Sequence, residues 1–302
     1  MTKAVIKEAT KIKPPGNMAP LAALKKEPGV VLPLVKKVLM DRNNTTFDPN
    51  RRTDIIHPSE LCRADFCPRA TYWRITGRQQ KPENIPFNLE NILTEGNSIH
   101  EKWQRWLRKS GKLWGLWQCD MCDLDVTGFD PIICLECGSK MNYAEVPLEV
   151  PDYMMAGFED AGLPDSQTLV ELKSVGLGTL RHEMPKLLKM HSVRADSHDV
   201  PDLQKIWANI RSPFPSHLKQ ACIYLWMAQQ MELPFVRVSV VYEFKPNQSV
   251  KEFMVGLDTM ADMMPRLLDK ALLVKYAVED SKEPDCYSNP GCTQCAAFEE
   301  AG

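Results

Sequence analysis

Charged side chains alternate at the end of an apolar strand pattern, and another acidic residue precedes them. The run Thr168-Leu169-Val170 leads into Glu171-Leu172-Lys173, and Asp160 lies eleven residues before Glu171. Because side chains alternate between the two faces of a strand, Glu171 and Lys173 share a face. Two carboxylates can hold a hard divalent cation, and a lysine can orient water or neutralise charge on a phosphate. The pattern predicts metal-dependent phosphodiester cleavage, with an ordinary charged surface strand as the alternative.

A candidate third metal ligand lies upstream. Ile99, Trp103 and Trp106 recur at helical spacing in a helix predicted from Glu95 to about Ser110. His100 lies at the edge of that apolar face and can bind a metal through its neutral imidazole. Taken alone, it would more often be a core histidine with a hydrogen-bond partner.

A polar pair follows downstream of the acidic residues. Gln220 and Tyr224, four residues apart, share a face of a helix predicted from about Ser216 to Met231. The alternative interpretation is a polar edge beside a packed helix.

The order of these residues resembles the PD-(D/E)XK nucleases, in particular their RecB-like branch, over roughly residues 57 to 298. The resemblance implies an α/β, restriction-endonuclease-like core with a central mixed sheet flanked by helices. It also implies that the metal is held by His100, Asp160, Glu171 and the backbone carbonyl of Leu172. Lys173 would then assist catalysis, and Gln220 and Tyr224 would contact DNA or support the site.

Two Cys-x-x-Cys pairs form what we call the ribbon group. Cys119 and Cys122 are separated by eleven residues from Cys134 and Cys137, and Gly138 follows as a tight turn would favour. Four thiolates at this spacing are typical of a structural zinc ribbon. We expect the ribbon at about residues 113 to 143, as an insertion with no direct part in the chemistry.

The remaining cysteines are split between the two ends of the proposed core. Cys67, followed by Pro68-Arg69, and the C-terminal trio form what we call the closure group: Cys67, Cys286, Cys292 and Cys295. This set resembles the iron–sulfur exonucleases related to RecB, including the CRISPR-associated exonucleases of the Cas-four type and the AddB subunit. The resemblance implies a [4Fe–4S] cluster that joins the two ends of the nuclease domain, with a structural role.

Two departures from that family pattern keep a zinc alternative open. The terminal spacing is five residues and then two, where the family more often shows two and then five. Cys62 is an additional candidate ligand, and zinc could be held with Cys62 or Cys67. We favour the iron–sulfur interpretation, with Cys67 as the fourth ligand because Pro68-Arg69 matches the family pattern.

Charge and length complete the expected organisation. The 302 residues can bury one substantial core, and a formal net charge of -2 gives no global attraction to nucleic acid. Residues 1–52 are predicted to form a basic arm and residues 53–302 the nuclease domain. A local patch between Lys102 and Lys112, interleaved with tryptophans, could contact a single strand, although core packing of Trp103 and Trp106 is favoured. With clustered cysteines and no secretory or membrane-spanning pattern, we expect a cytoplasmic protein, in the host cytoplasm if phage-encoded.

These expectations combine into a metal-dependent deoxyribonuclease. An exonuclease acting on DNA ends or single strands, in recombination, repair or processing, is favoured. The alternatives are a structure-specific or restriction-type endonuclease and an inactive nucleic-acid-binding module. The histidine favours Mn²⁺ over Mg²⁺ as the activating ion. Expected partners are DNA and a helicase, recombinase or CRISPR adaptation protein, since the sequence has no G-x-x-x-x-G-K-[ST] motif of its own.

Overall fold

The computed structural model describes residues 31–43, 52–81, 85–195, 198–288 and 291–298. Most of the basic arm predicted at residues 1–52 lies outside these ranges. Of the arm, the structure describes mainly one helix, Val31–Asn43, which contacts the helix at Phe87–Lys109.

Four helices open the described chain, seven strands follow, and short groups of helices and strands complete it. The helices are α1 (Val31–Asn43), α2 (Pro58–Leu61), α3 (Pro68–Ile75), α4 (Phe87–Lys109), α5 (Leu177–Glu183), α6 (Pro185–Met190), α7 (Leu203–Asn209), α8 (Pro215–Gln230), α9 (Leu257–Glu279) and α10 (Thr293–Ala296). The strands are β1 (Trp114–Cys119), β2 (Asp125–Phe129), β3 (Met141–Tyr143), β4 (Val146–Val150), β5 (Met155–Glu159), β6 (Ala161–Leu163), β7 (Thr168–Val175), β8 (Ser192–Ala195), β9 (His198–Pro201), β10 (Arg237–Phe244) and β11 (Ser249–Gly256).

A central sheet runs in the order β11-β10-β7-β6-β1-β2, with β3 paired to β1. The pairing of β7 with β10 is parallel, and the other pairings in this sheet are antiparallel. The apolar runs of β7 and β10 are buried on both faces, as central strands require. The predicted α/β class, with a mixed sheet flanked by helices, is confirmed.

The main core lies on the α8 side of this sheet. Helix α8 begins at Pro215, whose fixed φ suits a first helical position. Its residues from 221 to 228 are all buried, and α9 packs against it. None of the helices in the described ranges is long and apolar enough to cross a membrane.

Two segments differ from the sequence-based expectation. Helix α4 begins at Phe87, eight residues before the predicted start at Glu95. Residues 176 to 213, which show no steady sequence period, form α5, α6, a β8–β9 hairpin and α7. Trp207 of α7 stacks on Phe244 with ring centroids 4.6 Å apart, so tertiary packing orders this segment.

The cysteine ribbon continues the central sheet. Strand β1 pairs with β2 and β3 of the ribbon, and Trp114 at its start pairs with Gly162 of β6. Trp117 is fully buried and belongs to the same apolar cluster as Val170 and Leu172 of β7. The ribbon therefore shares its core with the back of β7.

Candidate active site

Strand β7 presents its charged residues as the alternation predicts. Glu171 is 2% exposed and lies on the face toward α8, together with Lys173. Leu172 points to the opposite face and packs in the apolar cluster shared with the ribbon. The backbone of β7 is thus fixed from behind by apolar packing, while its front carries the charged groups.

Asp160 lies between β5 and β6 and links two other elements. One of its carboxylate oxygens accepts a hydrogen bond from Nδ1 of His100 on α4, at 3.0 Å. The other accepts the backbone N–H of Leu172 at 2.5 Å. With Nδ1 used as a donor to a carboxylate, Nε2 of His100 keeps its lone pair, the arrangement found where histidines bind metals.

Lys173 forms an ion pair with Glu171 on the same strand face. Burial works against the charged ammonium, but the charges of Glu171 and Asp160 outweigh it and raise the pKa of Lys173 above its usual value. Burial also raises the pKa of Glu171, against the opposing influence of Lys173. Among these carboxylates Lys173 therefore stays protonated at neutral pH, which suits it to an electrostatic role.

Glu159 is a further acidic residue that the sequence analysis did not single out. It is fully buried at the end of β5, and neither of its carboxyl oxygens has a hydrogen-bond partner among the described residues. Burial, followed by the charges of Glu171 and Asp160, raises its pKa well above the usual range. Its inward position follows from strand alternation with Met155, a signal that the sequence did contain.

The four residues His100, Asp160, Glu171 and Lys173 form what we call the carboxylate centre. Its donor set, carboxylate oxygens and an imidazole, fits a hard or borderline divalent cation. The ligand atoms are nevertheless not gathered closely. Within the described ranges, groups of three or more candidate ligand atoms lying within 4.8 Å of one another occur only among the cysteines. Glu171 is turned to Lys173, and Asp160 to His100 and the β7 backbone.

Gln220 and Tyr224 lie beside this centre on α8. The amide of Gln220 donates to the hydroxyl of Tyr224 at 3.5 Å, and Tyr224 is 6% exposed. A Cβ added at Gly157 of β5 would meet the ring of Tyr224 and Pro58 at 3.1 Å. The glycine thus lets α8 approach β5 closely enough to bring the tyrosine to the acidic residues.

A cavity of about 550 Å³ opens in front of Lys173 and Gln220. Its other charged or polar lining residues come from the α2–α3 loop, α5 and the start of α8, and include Arg63, His182, Glu183, His217 and Lys219. The segment at residues 176–213 therefore contributes one wall, through α5.

His217 is a cavity residue that the sequence analysis left unassigned. The hydroxyl of Tyr242 accepts the backbone N–H of Phe214 at 2.7 Å and lies 2.7 Å from Nδ1 of His217, so it donates to that nitrogen. Burial, helped by the charge of Lys173, lowers the pKa of His217 to about 3. His217 is therefore neutral, with its Nε2–H as a donor. The sequence did contain a signal for this position: His217 lies three residues before Gln220 and therefore shares its face of α8.

The predicted basic patch on α4 is largely engaged in pairs. Lys102 contacts Glu243 at 2.5 Å, and Arg108 contacts Asp130 at 2.6 Å. Trp103 donates to Glu243 at 2.7 Å and packs toward the core, as expected. Trp106 does not follow the core expectation, because it is 50% exposed.

Both cysteine groups are assembled by the fold, and each can hold a metal ion. In the ribbon group, the Cys119–Cys137 and Cys122–Cys134 sulfur pairs are each 3.4 Å apart. Gly138 has φ of +73°, the left-handed value that the turn after the second pair was expected to need.

The closure group brings Cys67 together with Cys286, Cys292 and Cys295. Cys62 lies outside it, since its thiol donates to the carbonyl of Pro58 at 3.0 Å and is buried near Glu171. The four sulfurs fit one tetrahedral ion. They therefore form one metal site, and four thiolates are ligands for zinc and for an iron–sulfur cluster alike.

Comparisons with known proteins give distant structural similarities. No protein-family model matches the chain, and no curated protein matches it. A crystal structure titled SSO0001 is similar with a TM-score of 0.36 and 14% identity, covering 81% of this chain and 87% of that one. An alkaline exonuclease from Laribacter hongkongensis is similar with a TM-score of 0.41 and 10% identity, covering 76% and 92%.

Proposed function

We propose that this protein is a divalent-metal-dependent DNA nuclease of the PD-(D/E)XK type, with exonuclease activity on ends or single strands. The observation that carries the proposal is the position of Glu171 and Lys173. They lie on one face of β7, beside an Asp160 held by His100 and the β7 backbone, and Lys173 lines a cavity of about 550 Å³.

The roles of the side chains follow from their surroundings. Asp160, Glu171 and Nε2 of His100 would hold Mg²⁺ or Mn²⁺, which when bound would polarise the phosphate and lower the pKa of a bound water. Lys173, kept protonated by the acidic residues, would neutralise charge that develops on the phosphate. Gln220 and the neutral His217 would donate hydrogen bonds to the substrate from the α8 wall, while Tyr224 supports Gln220.

We further propose that the ribbon group holds a structural zinc ion. Cys119 and Cys134 are buried in the apolar cluster that contains Leu172. The ion would therefore stabilise the back of β7 and take no part in the reaction.

The test is a cleavage assay with Mn²⁺ and Mg²⁺ on end-labelled single-stranded and double-stranded DNA and on a covalently closed circle. We expect progressive degradation of the end-labelled substrates, an intact circle, and no cleavage in the presence of EDTA. Linearisation of the circle would instead support an endonuclease. Binding without cleavage by the metal-loaded protein would support the inactive binding module and refute the proposal. Asp160→Asn, with nearly the same shape, is the control for a contaminating nuclease.

A further inference from the structure

The closure group has the dimensions of a site for one ion. The sulfur of Cys67 lies 3.6 Å from that of Cys286 and 3.5 Å from that of Cys295. A tetrahedral zinc ion with four thiolates at about 2.3 Å places those sulfurs about 3.8 Å apart. In a cubane cluster each thiolate binds a different iron at its own corner, so the sulfurs surround a much larger object.

The same chain provides an internal standard for this spacing. In the ribbon group, whose Cys-x-x-Cys pairs are typical of zinc, the nearest sulfurs are 3.4 Å apart and all ligand atoms again lie within 4.8 Å. The closure group, which has one Cys-x-x-Cys pair where the ribbon group has two, thus reaches the same dimensions.

The backbone around the closure group is fixed from both sides. Arg69, two residues after Cys67, donates to the carbonyl of Pro284 at 3.1 Å and contacts Glu283 at 3.0 Å. Trp73 on the same helix donates to Glu283 at 2.8 Å. These contacts hold the segment before Cys286 against α3.

The other side of the group is held in the same way. The N–H of Lys81 donates to the carbonyl of Ala297 at 2.8 Å, and Gln80 forms a β-bridge with Phe298. Cys292 is the N-cap of α10 and accepts the N–H of Cys295 at 3.4 Å. The cysteines therefore cannot separate without breaking contacts that flank the group.

We propose that Cys67, Cys286, Cys292 and Cys295 hold a single, redox-inactive Zn²⁺ ion in place of a [4Fe–4S] cluster. Four soft thiolates in a closed tetrahedron are a preferred structural site for zinc. The proposal depends on the sulfur geometry and is independent of the nuclease activity.

The test is the metal content of the full chain, purified anaerobically from cells supplied with both iron and zinc. We expect about two zinc ions per chain, one for each closed Cys₄ site, with no acid-labile sulfide and no brown colour. X-ray absorption at the zinc edge should show sulfur neighbours only. About four irons with matching sulfide, or one iron without sulfide, beside a single zinc would overturn the proposal.

Matched variants assign the ions to their sites. Cys286→Ser should lose one zinc, Cys119→Ser should lose the other, and the buried Cys62→Ser should keep both. If Cys286→Ser does not fold, cobalt substitution of Cys119→Ser gives the same information, because a thiolate-bound cobalt at the closure group absorbs strongly. Retention of both zinc ions by a folded Cys286→Ser protein, or absence of that absorption, would contradict the assignment.

Discussion

In each cysteine group the ligand atoms lie within 4.8 Å of one another, ready to surround an ion. In the carboxylate centre, Glu171 contacts Lys173 and Asp160 contacts His100, so each carboxylate already has a partner within the protein. A closed structural site is shaped by the backbone and its caps. A catalytic site must instead exchange ligands with substrate and water, and its side chains have alternative partners inside the protein. The difference predicts strong, stabilising binding at the cysteines and weaker, competitive binding at the carboxylates.

The largest effect is expected from breaking the closure group. A link between Cys67 and Cys286, 219 positions apart, removes far more unfolded-state freedom than one between Cys122 and Cys134, 12 positions apart. By the cross-link estimate these contributions are about 5 and about 3 kcal/mol. Cys286→Ser should therefore lower Tm by about 10 °C or more and Cys119→Ser by about half as much, measured by calorimetry. An equal loss in both variants would contradict this ranking.

The next effect should be on catalysis, with the fold and the zinc sites retained. Asp160→Ala removes a carboxylate expected to hold the catalytic ion, which is several kcal/mol of transition-state stabilisation, or a loss of about 10³-fold or more in cleavage rate. Zinc content should stay at the wild-type value. Robust turnover by Asp160→Ala in single-turnover kinetics would remove the carboxylate centre from the chemistry.

Lys173→Ala should separate binding from catalysis. Lys173 forms an ion pair with Glu171, so the loss of the lysine side chain frees that carboxylate for a cation. Mn²⁺ should therefore bind more tightly, as measured by calorimetric titration. Cleavage should still fall by about 10²-fold, the usual cost of losing one preorganised electrostatic contact. Lys219→Ala is the matched control, since Lys219 also lines the cavity whereas Lys173 is the lysine paired with Glu171. Weaker Mn²⁺ binding by Lys173→Ala would show that Lys173 and the cation do not compete for Glu171.

The smallest effect concerns pH. Burial alone would lower the pKa of His100, but its hydrogen bond to Asp160 and the charge of that residue raise it above the usual value. A protonated imidazole cannot bind a metal, so Mn²⁺ affinity should increase by up to about tenfold per pH unit as pH approaches the raised pKa from below. In His100→Gln this part of the pH dependence should disappear, while His191→Gln, outside the cavity lining, should retain it. An unchanged profile in His100→Gln would show that His100 is not a ligand.

The sequence predicts local features of this molecule well. Alternation places Glu171 and Lys173 on one face of β7, and the Cys-x-x-Cys spacing predicts the ribbon group, because both depend on residues close in sequence. The closure group was found by resemblance alone, since no local pattern relates Cys67 to Cys286.

Long-range pairing limits what the sequence can predict. Lys102 reads as part of a basic patch, but Glu243, 141 residues later, pairs with it. His217 has no ligand-like neighbours in sequence, and its hydroxyl partner Tyr242 is 25 residues away. Glu159 was not recognised beside Asp160, because its complete burial and its raised pKa depend on how β5 packs near Glu171 and Asp160 in the fold.

The two cysteine groups also differ in when they can form on the ribosome. All ribbon ligands are made once Cys137 has emerged, so that group can bind its ion while most of β7 to α10 is still to be synthesised. The closure group cannot form until Cys295, seven residues before the last residue of the given sequence, has been synthesised. Because synthesis proceeds at about 5–20 residues per second, the thiol of Cys67 is made roughly ten seconds or more before the other three cysteines of the group. The metal supply at that moment, and not only the final equilibrium, would then influence which ion the finished protein carries.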